Sequence, residues 1–183
     1  YSAGKAGNVT TQASDSVQVI GVSSFPSLLS AIATVAFSSG DAGNLTVSTQ
    51  ELTLLKGGSI ASPTFGIGHG GDVTVNALDS IKVIGQSNIF SPSVLDAITI
   101  GAGDAGQVTV NTSRLVIQDG GAVTTSTLGT GRAGSLTINA RESVEVSGRP
   151  PVPSRPSRVG SSAPIVSSDI FRQVYRLPPG PSG

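Results

Sequence analysis

One heptapeptide pattern recurs five times along the chain, and this repetition constrains the fold more than any other feature. The pattern reads Gly, any residue, Ala or Gly, Gly, a polar residue, Leu or Val, and Thr. Its copies define repeats 1 to 5, which begin at Gly4, Gly40, Gly68, Gly103 and Gly131. Long and short spacings alternate between these starts, so a long repeat and a short repeat form a larger pair. Such repetition is typical of solenoids, in which each unit packs on its neighbours.

Each repeat contains three short apolar runs, and the first two of them alternate between apolar and polar residues. In repeat 2 these runs are Leu45 to Val47, Leu52 to Leu55, and the neighbourhood of Ile60. A period of two residues is typical of a strand with one buried face. The runs are too short and too often interrupted by glycine for helices.

Stacked repeats predict an all-β fold, namely a right-handed parallel β-helix of about five coils with three short strands each. Strands of adjacent coils would pair in parallel at about 4.8 Å, so five coils would form a rod about 24 Å long. Crossovers between parallel strands are nearly always right-handed. An alternative divides each long-short pair into three coils of equal length. Two coils per pair are favoured because they superpose all five glycine motifs and all five Leu/Val-Thr strands.

Glycines mark the predicted corners of the coils. The structural corner residues are Gly4, Gly7, Gly40, Gly43, Gly68, Gly71, Gly103, Gly106, Gly131 and Gly134. Glycine permits a positive φ or a close approach of two backbones at such positions. The Gly57-Gly58 and Gly120-Gly121 pairs predict a second corner. A phosphate-binding loop is rejected because no helix follows the glycines.

Composition excludes several classes of function. The net charge is zero, so nothing favours nucleic acid or an anionic membrane. No apolar run is long enough to form a membrane-spanning helix, so no membrane insertion is expected. The chain has no Cys, which excludes disulfides and thiolate metal sites. It starts inside a repeat without an initiator Met, so we expect residues 1–183 to be a single β-helical piece of a longer array.

The C-terminal segment departs from the pattern, because eight of the 11 prolines lie at or after Pro150. Residues 149–167 are interpreted as a Pro- and Arg-rich loop inserted within the last coil and as the best candidate for a contact surface. Ser168–Tyr175 would then supply the third strand of that coil. Neither end of the array resembles a cap, which predicts end-to-end association through open strand edges.

The candidates for chemistry lie at the corners, and each has a structural interpretation. The second motif position reads Lys5, Asp41, His69, Asp104 and Arg132, which predicts a solvated ridge of weakly paired charges. Asp41 and Asp104 would lie about 9.6 Å apart, but no further acid or base joins them. The sequence therefore predicts no catalytic residue, no cofactor and no metal.

Two further columns follow the corner. The fifth motif position carries Asp72 among Asn8, Asn44, Gln107 and Ser135, which predicts a side-chain ladder, because a calcium-binding β-helix needs a nonapeptide period. The outward column of threonines contains Thr10, Thr46, Thr74, Thr109 and Thr137. Beside this column lies a mixed polar column, so an ice-binding face is not favoured and ordinary strand propensity explains the threonines.

The glycine motifs, with the Gly-Gly-Ser-Ile-Ala and Pro26-Ser27 or Pro92-Ser93 segments, resemble the repeats of filamentous-haemagglutinin-like exoproteins of cyanobacterial type. These are passengers of two-partner secretion. The resemblance implies a secreted, cell-surface location, an outer-membrane transporter during export, and a role in adhesion or surface architecture. The expected function is a structural or adhesive segment without enzyme activity, whose partner is a surface glycan or another cell-surface protein. The alternative is part of a carbohydrate-acting β-helix enzyme whose active residues lie outside this fragment.

Overall fold

The structure is a computed structural model that describes residues 4–21, 30–87 and 91–148, and, as backbone only, 158–162 and 173–176. The described residues form strands and connections without any helix. The strands are β1 (Val9–Gln12), β2 (Ser16–Ile20), β3 (Ala31–Ala33), β4 (Leu45–Leu55), β5 (Ser59–Thr64), β6 (Val73–Ile84), β7 (Val94–Thr99), β8 (Val108–Gln118), β9 (Ala122–Thr127), β10 (Leu136–Ser147), β11 (Arg158–Ser162) and β12 (Gln173–Arg176).

The strands form two sheets, and the chain passes from one to the other within every repeat. The first sheet has the order β1-β4-β6-β8-β10-β12, with β2 also paired to β4. The second sheet has the order β3-β5-β7-β9-β11. Between the described strands, every pairing is parallel except that of β10 with β12. The prediction of an all-β fold with parallel strands is confirmed.

The pairing register superposes the repeats. Leu45 pairs with Val73, Val73 with Val108, and Val108 with Leu136. The glycine motif of each repeat therefore lies beside that of the next. This register agrees with two units per long-short pair and contradicts three shorter units of equal length.

The first two apolar runs of each repeat were predicted as separate strands, and this is wrong for repeats 2 to 5. There they form one strand of 11 or 12 residues. The register shifts in the middle, where β6 places one more residue between Ala77 and Ser80 than β4 places between Thr49 and Glu51. Such a bulge bends a strand without ending it. Only repeat 1 keeps two strands there, β1 and β2.

Both sheets contribute to one continuous aliphatic core. The largest fully buried side chains are Leu45, Val47, Leu52, Leu54, Ile60, Val73, Val75, Ile81, Val83, Leu95, Leu115 and Ile117. Burial of one such side chain stabilises the fold by about 1.5–3 kcal/mol. Because each column passes through successive repeats, no repeat can bury its inner face alone.

The C-terminal strands differ from the prediction. The third strand of repeat 5 is β11, which pairs in parallel with β9, whereas it was predicted at Ser168–Tyr175. Strand β12 instead pairs antiparallel with β10, from Ser143 to Val146. The expectation that neither end is capped is therefore wrong for this part of β10. The remainder of 149–167, outside β11, lies outside the described residues.

Candidate contact surfaces

The predicted corner glycines form two columns, and within each column the glycine of one repeat lies directly over the glycine of the repeat before. A Cβ atom on Gly71 would overlap the carbonyl oxygen of Gly43, and one on Gly68 would overlap that of Gly40. The same holds for Gly103, Gly106, Gly131 and Gly134 above their own predecessors. None of these corner glycines has a positive φ, so in repeats 2 to 5 close approach of backbones is the reason for glycine, whereas an added Cβ on Gly4 or Gly7 of repeat 1 would meet nothing within 4 Å.

The second corner uses positive φ instead. Lys56 and Gly57 have φ of 51° and 89°, and Asp119 and Gly120 have φ of 53° and 93°. Two consecutive positive φ values are typical of a type I′ turn. In repeat 2 this turn is closed by a 2.9 Å hydrogen bond from the Gly58 N–H to the Leu55 carbonyl. The sequence indicated the glycines but not the left-handed Lys and Asp that precede them.

Buried hydroxyl groups of the second sheet hold the glycine corners in place. The Thr34 hydroxyl donates to the Gly43 carbonyl at 2.7 Å, and the Thr125 hydroxyl donates to the Gly134 carbonyl at 2.6 Å. Ser62 Oγ accepts from the Gly71 N–H at 3.1 Å. Sequence analysis missed this column because inward Ser and Thr do not stand out from outward ones in a Ser- and Thr-rich chain.

The predicted ridge of charges links successive repeats. Lys5 Nζ lies 2.9 Å from Asp41 Oδ2, while Asp41 Oδ1 accepts from the His69 backbone N–H at 3.0 Å. The hydrogen bond from Lys5, followed by that from His69, lowers the pKa of Asp41, and the Asp41 carboxylate raises the pKa of Lys5. Asp104 likewise accepts from a backbone N–H of the next repeat, at 2.7 Å. Both carboxylates therefore connect one repeat to another.

The ladder predicted at the fifth motif position is confirmed, and it uses backbone donors. The Asn44 N–H donates to Asn8 Oδ1 at 2.9 Å, and the Asp72 N–H donates to Asn44 Oδ1 at 3.0 Å. Asp72 Oδ1 then accepts from the Gln107 N–H at 2.8 Å. Among the residues described, no three His, Asp or Glu side chains cluster in a way that would hold a metal ion.

The outer face of the first sheet is polar in the half of each strand that follows the glycine motif. The threonine column is in register, and beside it Asn111 Nδ2 donates to Asn76 Oδ1 at 2.8 Å. Asn139 continues this amide ladder at 2.8 Å. A shallow groove of about 470 Å³ borders this face, and its lining includes Gln12, Gln50, Asn76 and the exposed Leu78. Amide groups in such a groove offer both donors and acceptors to hydroxylated ligands.

The outer face of the second sheet is apolar at the C-terminal ends of its strands, and sequence analysis missed this apolar face. Two columns in register make up this apolar face, namely Val35, Pro63, Ile98 and the uncharged Ser126, and Phe37, Phe65, Ile100 and Leu128. Phe37 is 77% exposed and Leu128 is 59% exposed. The rings of Phe37 and Phe65 stack at 5.1 Å between centroids. The sequence carried a weak signal, since outward and inward positions both hold apolar residues at Ile98 and Ala97 of β7, as in a strand that is covered on both sides.

Of the segment 149–167, which was predicted as a contact surface, the structure describes only the backbone of β11, which pairs with β9. No helix in the described part of the chain is long and apolar enough to cross a membrane. Comparison with known proteins found no match to this chain among family models, curated protein sequences or solved structures.

Proposed function

We propose that the chain is a five-coil segment of a right-handed parallel β-helix, which serves as a structural or adhesive rod in a secreted, cell-surface exoprotein. The observation that carries this proposal is the register that pairs every repeat with the next in both sheets around one aliphatic core. A continuous core with unit-to-unit pairing is the arrangement that makes a solenoid stiff along its axis.

Backbone pairing at the corners supports a closed coil. The chain leaves the first sheet at the Leu55 turn, follows β5, and returns through the glycine motif. There the Ala42 N–H donates to the His69 carbonyl and the Leu45 N–H donates to the Asp72 carbonyl, at 2.9 and 2.8 Å. Inter-repeat hydrogen bonding thus continues from the second sheet into the first. A right-handed path follows from the general preference of parallel crossovers.

The corner side chains favour a structural role over catalysis. A hydrolytic pair needs one carboxylate that holds a proton and one that stays ionised. Asp41 is engaged by Lys5 and by a backbone N–H, and its lowered pKa makes it a poor proton donor, while Asp104, the other carboxylate of the column, is bonded to the Arg132 backbone N–H of the next repeat. We therefore keep the carbohydrate-acting enzyme only as an outcome of the test below.

A surface glycan is the favoured class of partner, because the groove beside the first sheet carries the amides of Gln12 and Gln50. Hydroxyl-rich ligands are recognised by such groups without a net charge on the protein. Export through an outer-membrane transporter rests on the resemblance to filamentous-haemagglutinin-like repeats, as does the cyanobacterial type.

Location is tested with an antibody against the full chain on intact cells of the source organism. We expect surface labelling that external protease removes, and labelling only after permeabilisation would contradict the proposal. Adhesion is tested by retention of protein-coated beads on an array of algal and bacterial glycans.

The matched variants are Gln12→Ala with Gln50→Ala in the groove, against Thr109→Ala on the neighbouring face. Loss of bead retention in the first protein alone supports the groove as the glycan site. Deletion of 149–167 is a poorer variant because it removes strand β11. Release of new reducing ends from any glycan would favour the enzyme instead.

A further inference from the structure

The proposed role as a structural rod does not explain why the second sheet exposes an apolar face. Its outer column follows the stacking of the repeats, since the Phe65 N–H donates to the Ala36 carbonyl, the Ile100 N–H to Thr64, and the Leu128 N–H to Thr99. The column therefore reads Phe37, Phe65, Ile100 and Leu128, one residue per repeat. Strands one repeat apart are separated by about 4.8 Å, so the column is an unbroken apolar ridge.

Glycine keeps the flank of this ridge low. Gly66, Gly101 and Gly129 follow Phe65, Ile100 and Leu128 directly, and a Cβ atom on any of them would overlap the backbone of the repeat before. No side chain can rise beside the ridge at these positions.

The exposed area is large for a single chain. The exposed area corresponds to a little over three fully exposed residues. This is the sum of the exposed fractions of Val35, Phe37, Phe65, Ile100, Leu128 and the adjacent Ile67, which is 68% exposed. At roughly 200 Å² for a large apolar residue, this is about 600 Å². Burial of that area on two partners would give about 1,200 Å² in total, the lower bound of a stable specific interface.

We propose that the apolar face binds the same face of a second copy of this chain, so that two rods pair side by side. The two columns carry no charged side chain in the described repeats, and the whole chain has zero net charge, so no charged partner is complemented. Asp96 lies in the next column of β7, outside this face. An apolar sheet face is complementary to itself, which satisfies the requirement of a two-fold interface. Two such faces would pack about 10 Å apart, as in a β-sandwich.

The mass of the full chain in solution tests this pairing. Sedimentation equilibrium is expected to give twice the 18.2 kDa of one chain. Phe37→Lys with Leu128→Lys would place charges inside the interface and raise the dissociation constant at least about 100-fold. Thr46→Lys with Thr109→Lys, on the first sheet, is the matched control and should remain dimeric.

Disulfide trapping gives a second readout, because the chain contains no Cys. In an antiparallel pair, Phe65 of one copy would face Ile100 of the other. A mixture of Phe65→Cys and Ile100→Cys proteins should therefore form the mixed dimer faster than either forms its own, and Thr74→Cys should form none.

A monomer at about 100 µM, a concentration well above the dissociation constant of an ordinary specific complex, would overturn the proposal. Assembly that persists in the Phe37→Lys, Leu128→Lys protein, while its strand circular dichroism is retained, would overturn it as well. Masses that grow beyond two chains and are insensitive to these lysines would instead indicate the end-to-end association predicted from open strand edges. That outcome also overturns the face-to-face pairing.

Discussion

Replacement of Gly71 by Ala tests the close stacking of the corners in the middle of the array. An added Cβ would lie 2.5 Å from the Gly43 carbonyl carbon and 2.8 Å from Ser62 Oγ. The Gly43 atoms belong to the backbone and Ser62 is fully buried, so neither residue can rotate away from the added Cβ. The backbone of Gly71 would have to shift by about 1 Å to restore ordinary contact distances.

The cost follows from two contributions. Overpacking of a tight site costs about 1–3 kcal/mol. The shift also breaks the 3.1 Å hydrogen bond from the Gly71 N–H to the buried Ser62 Oγ, and an unsatisfied buried group costs about 1–3 kcal/mol. We therefore expect Gly71→Ala to lower the free energy of unfolding by about 4 kcal/mol. For a chain of this size the melting temperature would fall by roughly 8–16 °C.

The control is Gly7→Ala, because Gly7 has the same place in the motif of repeat 1 but nothing within 4 Å of its added Cβ. It should change the free energy of unfolding by less than about 0.5 kcal/mol. Thermal unfolding followed by strand circular dichroism measures both proteins. Equal melting temperatures for the two variants would refute the argument that backbone overlap dictates glycine in this column.

Three further predictions concern the interior and the ridge of charges. Ser62→Ala should lower the free energy of unfolding in urea by about 1–3 kcal/mol. Ala97→Ser adds a hydroxyl to the same buried column, and it should leave the free energy of unfolding unchanged or raise it by about 1 kcal/mol. The reverse order of the two variants would contradict the role of this column. Leu54→Ala should cost about 2–5 kcal/mol in the same assay, and a loss below about 1 kcal/mol would exclude a shared core. Because the pKa of Asp41 is lowered in the folded chain, its contribution to stability is present above its usual pKa of 3.8 and is lost as the pH falls through the folded value. Lys5→Ala should raise the pKa of Asp41 in a carboxyl ¹³C NMR titration, and an unchanged pKa would show that the pair does not form.

The stacking order was accessible from the sequence because it depends on recurrence. Five copies of one motif can be superposed in only a few ways, and the aliphatic pairs such as Leu45 and Val73 distinguish among them. The Asn44 ladder was predictable for the same reason, since its column contains short polar side chains in every repeat.

Strand boundaries and the apolar face were not accessible in the same way. A bulge at Leu78 continues a strand through residues that carry no apolar period, so pattern reasoning divided it. Pro63 and Ile98 point outward, but an apolar residue is assigned to the core unless the register is known. The prediction for the C-terminal segment was wrong because Ser168–Tyr175 has the same apolar spacing as the earlier third strands. Spacing alone does not give the direction of strand pairing.

Backbone NOE spectroscopy of the deuterated chain tests the central claim that the repeats are in register. The structure predicts inter-strand contacts between equivalent positions of successive motifs, such as Leu45 with Val73 and Val73 with Val108. Contacts at the shorter spacing of three coils per long-short pair, or none between Leu45 and Val73, would contradict the stacking on which the fold, the corners and the apolar face all depend.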